Sequence, residues 1–147
     1  MSKLTCFVLF IGLTIGCVST TVDVLSTFHF DGRVTNEQGL PIEGVRLTFV
    51  DTGIDQWRSR GNVSVRVAES DSDGRIASDF PYLWGYRTRG RFRPAQPPPG
   101  NYRGTFDLVY SAEGYGSVRV GYNVNDLPTH DGKILVEFEV ALEKIEM

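Results

Sequence analysis

Apolar residues at every second position restrict this chain more than any other feature. Phe28, Phe30 and Val34 share one parity, with His29, Asp31 and Arg33 on the other. Val45, Leu47 and Phe49 alternate with Arg46 and Thr48, and Val63, Val65 and Val67 with Ser64, Arg66 and Ala68. Tyr102, Phe106, Leu108 and Tyr110 repeat the pattern, as do Val118, Val120, Tyr122 and Val124. The last run is Ile134, Val136, Phe138, Val140 and Leu142, with Glu137 and Glu139 between. A two-residue period is the mark of a strand with one buried face. A further strand is expected over 75–86, where Pro81 demands an edge or a bulge because it has no N–H for a ladder.

Turn sequences separate these runs: Asn36–Pro41, Asp71–Gly74, Pro97–Asn101, Ala112–Gly116 and His130–Lys133. No window carries an apolar stripe at helical spacing. Seven short strands predict an all-β domain, a single antiparallel β-sandwich. At this size a domain buries roughly two-thirds of its unfolded surface, enough for a core without disulfides.

The first sixteen residues differ from the rest. Lys3 precedes an apolar run from Leu4 to Ile15, shorter than the about 20 residues that span a bilayer. Residues 1–16 therefore read as a signal peptide, 17–26 as an anchor and tether, and 27–147 as the sandwich. Cys6 leaves with the signal. Cys17 is then the only cysteine of the mature chain: a reactive thiol, half of an intermolecular bridge, or a capped residue. Cleavage after Ser19 would discard it.

Ile15, Gly16 and Cys17, with Leu13 upstream and Thr14 where Leu is usual, resemble a bacterial lipoprotein signal. That resemblance implies acylation of Cys17, cleavage after Gly16 and a membrane partner. Val18 in place of Asp implies the outer membrane in a Gram-negative cell; a secreted or periplasmic soluble protein is the alternative. The formal net charge is −3, and one unit lower without Lys3, which disfavours nucleic acid as a partner.

Gly39, Pro41, Gly44 and Val45 resemble the opening hairpin of carboxypeptidase regulatory-like domains, which have a transthyretin-like sandwich. Asp73-Gly74 and the stretch 97–117 resemble that family's later turns. The resemblance implies a non-catalytic binding or structural module without cofactor. Tyr102, Arg103, Gly104 and Thr105 raise a hydrolase alternative, since the transthyretin-like family includes hydroxyisourate hydrolases. Their tetrapeptide is terminal, however, and their histidine falls where this chain has Arg33. His29 and His130 are too far apart in sequence to point to zinc, and Asp71–Gly74 lacks the spacing of a calcium loop.

One cluster stands out between Phe80 and Pro94. Arg87, Arg89, Arg91 and Arg93 recur at every second residue, opposite in parity to Trp84 and Tyr86. An arginine stripe suits phosphate or carboxylate groups, so lipid headgroups, acidic glycans or an envelope protein are candidate partners. Trp84 and Tyr86 raise a carbohydrate-binding alternative, in which the aromatic rings stack on sugars. The plainer reading puts the aromatics in the core and the arginines on the surface.

Overall fold

The computed structural model describes residues 18–52, 63–90 and 104–145; for 18–24 and 85–90 it describes the backbone. The alternating runs become strands β1 (Val18–Asn36), β2 (Arg46–Asp51), β3 (Ser64–Glu69), β4 (Arg75–Gly90), β5 (Thr105–Ser111), β6 (Val118–Asn123), β7 (Thr129–His130) and β8 (Lys133–Leu142). They form two sheets, with strand orders β4-β1-β8-β7 and β3-β2-β5-β6. The all-β expectation holds, and the described chain is a two-sheet sandwich.

The sequence led to wholly antiparallel sheets, and one pairing departs from that. β1 and β8 pair in parallel, from Thr27 opposite Lys133 to Asn36 opposite Leu142. Parallel neighbours need a long crossover. Here all the intervening chain supplies it, something no local alternation reports. β7 is two residues long, too short to show a period. Its hairpin turns through Asp131 (φ 49°) and Gly132 (φ 75°), the left-handed pair favoured in tight hairpins.

The stretch 18–26, which the sequence presents as a tether without pattern, is strand. It pairs with β4 from Val18 opposite Gly90 to Ser26 opposite Tyr82. β4 lies at the sheet edge, which accommodates Pro81 opposite Thr27.

The core lies between the sheets. Phe28, Phe30, Val34, Leu47, Phe49, Phe106 and Leu108 are completely buried. Phe49 stacks on Phe106 with ring centroids 4.7 Å apart, and Phe28 meets Phe106 edge-on at 5.1 Å. Such contacts add to the burial of the rings themselves. β3 contributes less: Val65 and Val67 are half-buried, as suits an edge strand with a register shift opposite Leu47–Thr48.

Two glycines are required by close approach. At Gly32 an added Cβ would stand 2.3 Å from the Phe138 carbonyl oxygen, because Phe138 lies over this gap in the inward row of β1. Gly74 (φ 69°) would place a Cβ 2.3 Å from the Val34 carbonyl oxygen. The turn before it is closed by Asp71, whose Oδ1 accepts from the Asp73 and Arg75 amides at 3.0 and 2.8 Å. That carboxylate caps its own turn.

Candidate functional site

Residues of β1 that point away from the core line up with outward residues of β4 and β8. His29 stands opposite Asp79, and Arg33 opposite Arg75, on one side. Asp31 stands opposite Glu137, and Arg33 opposite Glu139, on the other. The alternation that buries Phe28 and Phe30 thus builds a charged outer face.

At its centre the Asp79 carboxylate joins an imidazole and an ammonium group. Its Oδ1 lies 2.7 Å from His29 Nδ1, and its Oδ2 accepts from Lys133 Nζ at 2.5 Å. The Lys133 hydrogen bond, and after it that of His29, hold the Asp79 carboxyl below the usual carboxylate range. All three side chains keep about two-fifths or more of their exposure, at 39%, 47% and 42% for His29, Asp79 and Lys133. Ion pairs this exposed contribute little to stability. A carboxylate on Nδ1 selects one imidazole tautomer and steadies the ring, the arrangement used where histidine moves a proton.

Beyond the cluster the face opens into a shallow groove lined by Asp31, Arg33, Asp73, Arg75, Glu137 and Glu139. The Arg75 guanidinium contacts both oxygens of Asp31 at 3.2 Å, and Arg33 Nε donates to the Asp73 carbonyl at 3.3 Å. Among the described residues, no three His, Cys, Asp or Glu side chains are grouped to hold a metal ion.

The residues singled out in the sequence fall elsewhere. Trp84 is 1% exposed, with its ring centroid 4.8 Å from that of Tyr82 and 6.1 Å from those of Phe28 and Phe49. It is core, which corrects its expectation as a ligand contact and removes half of the sugar-stacking platform. Tyr86, Arg87 and Arg89 lie on β4 opposite Val22, Thr21 and Ser19. Arg91 and Arg93 lie outside the described residues, as do Cys17 and Arg103.

The sequence also hid a buried polar pair. Tyr82 donates its hydroxyl to Asp51 Oδ2 at 2.9 Å, and Asp51 is 2% exposed. Its signal was parity: Asp51 continues the inward row of Leu47 and Phe49.

No protein family and no curated protein matches the chain. Some solved structures are similar to it in part. A 3-chlorocatechol 1,2-dioxygenase from Rhodococcus opacus matches with TM-score 0.49 and 14% identity over 82% of this chain and 60% of its own. A chlorocatechol 1,2-dioxygenase from Pseudomonas putida matches with TM-score 0.46 and 14% identity over 82% and 61%. A catechol 1,2-dioxygenase from Acinetobacter radioresistens gives 0.44 and 18% over 83% and 53%. The chain therefore spans less than two-thirds of the length of each.

These neighbours are enzymes. The expectation of a non-catalytic module is corrected by this finding: the solved structures that the chain matches are dioxygenases. Neither the hydroxyisourate hydrolase nor the carbohydrate-binding alternative gains support. At this identity the likeness concerns shape, and no activity passes from it to this chain.

Proposed function

We propose that the chain is a lipoprotein of a bacterial envelope, acylated on Cys17, with the charged face of β4, β1 and β8 as its working surface. The observation that carries the reading is the lipoprotein-like motif itself: Lys3, the apolar run from Leu4 to Ile15, then Gly16 and Cys17. Among the described residues no helix is long and apolar enough to cross a membrane. In this reading two or more acyl chains supply the attachment, since a single one holds only marginally. With Val18 after the cysteine, the outer membrane is the destination in a Gram-negative cell.

On the exposed face, His29, Asp79 and Lys133 offer an imidazole steadied by a carboxylate beside a fixed cation. Such a group accepts or returns a proton for a polar solute reaching the groove. The sandwich itself we assign to the carboxypeptidase regulatory-like, transthyretin-like kind. Positive φ at Gly39 and Gly44 supports this, since both fall within the turn that carries the resemblance.

The test is the intact mass of protein extracted from membranes. The expected species begins at Cys17 and carries the added mass of a diacylglyceryl group and an acyl chain. An unmodified chain that starts after residue 17 ends the proposal.

A further inference from the structure

β1 and β4 outrun the rest of their sheet. β8 flanks β1 only from Thr27 onward, so residues 18–26 pair with β4 alone. A two-stranded ribbon therefore leads from the sandwich to the residue after Cys17. Its register decides what stands beside that residue. Arg89 lies opposite Ser19, and Arg87 opposite Thr21.

At ~3.3 Å per residue, these positions are ~3 and ~10 Å along the strand from Val18, the residue bonded to Cys17. The headgroup layer of a bilayer is about 5–7 Å deep on each side, and charge is felt for about 8 Å beyond it at physiological salt. An acyl group on Cys17 would therefore bring both arginines within reach of lipid phosphates. Asp23, opposite Gly85, is the one acidic residue in the paired ribbon, whereas the chain as a whole carries a net charge of −3. The local sign is reversed where the membrane would be.

We propose that the ribbon end is a second membrane contact, in which Arg87 and Arg89 bind the phosphates of anionic lipids beside the acylated cysteine. This rests on the lipoprotein reading for its placement. A guanidinium fork matches phosphate oxygens, which makes arginine suited to the task. With the acyl chains providing retention, the arginines provide orientation. They hold the ribbon end down, while the carboxylates of Asp31, Glu137 and Glu139, further along the same sheet, are repelled from an anionic surface.

The experiment uses the mature chain from residue 17 carrying Cys17→Ser, which no acyl group can hold. It is sedimented with vesicles of phosphatidylcholine alone and of phosphatidylcholine with one-third phosphatidylglycerol. Binding is expected on the anionic vesicles only, weakening as salt is raised. Arg87→Gln/Arg89→Gln should reduce it about 25-fold, from roughly fivefold per arginine. Arg46→Gln/Arg66→Gln, on the other sheet, should leave it unchanged. Equal binding to both vesicles, binding to neither, or an equal loss in the two double variants overturns the proposal. An acyl-free intact mass from cells, with the vesicle preference intact, would sink the lipoprotein reading alone.

Discussion

Asp79 shows how a residue can be conspicuous in three dimensions and silent in one dimension. It meets His29 and Lys133 from 50 and 54 residues away. Its carboxyl is held down mainly by Lys133, so Lys133→Met should move it back toward 3.8, followed by carbon-detected NMR. The sign follows from linkage. A depressed folded value contributes stability above the unfolded value, near pH 4, and that contribution disappears as pH falls through the folded value. Acid unfolding of the Lys133→Met protein should accordingly lose part of its pH dependence below pH 4. Gly32 makes a steric prediction instead. Gly32→Ala must displace Phe138 or the backbone of β8, and should cost about 1–3 kcal/mol in urea unfolding. Tyr82→Phe removes a buried hydrogen bond to a carboxylate and should cost about 1.5–3 kcal/mol by the same measurement. Of these residues, Phe138 was legible as inward-facing, from the alternation of its run. Gly32 is visible in hindsight as the gap between Phe30 and Val34, and Asp51 as a charge in an apolar row.

At the level of strands, alternation placed seven of the eight correctly, because each had one buried face and the other in water. It said nothing about partners. The parallel contact of β1 with β8, and hence the charged face, depends on which strands lie side by side. Residues 18–26 escaped notice for a related reason. They pair with one strand only, so no strict inward row was imposed on them. Their pairing nonetheless has a consequence that a tether would not have. A chain beginning at Thr27 loses the ladder to β4 residues 82–90, which includes the segment carrying Trp84. Its urea midpoint should fall clearly below that of the chain beginning at residue 17. An unchanged midpoint would show that the segment contributes nothing to the fold.

For the molecule as a whole, charge changes along β1: Arg87 and Arg89 stand opposite its start, and Arg33 and Arg75 mix with Asp31, Glu137 and Glu139 toward its end. The alkaline limit of stability is set in the core. Burial, and after it the neighbouring Tyr122, push the Tyr110 phenol far above its ordinary value of 10. A raised folded value favours the native state below pH 10, and that advantage declines as pH rises further and unfolded tyrosine ionises. Thermal melts across pH 9–11 should show the decline, and Tyr110→Phe should blunt it. The parallel contact between first and last long strands also has a mechanical meaning. A protein held by its amino end is loaded along β1. Tension between that end and the far end of β8 would slide the two strands past each other, straining the rungs from Thr27 opposite Lys133 to Asn36 opposite Leu142 together. A hairpin pulled apart from its open end gives way one rung at a time. Under the attachment at Cys17 proposed above, these rungs would share any tension applied through the amino end.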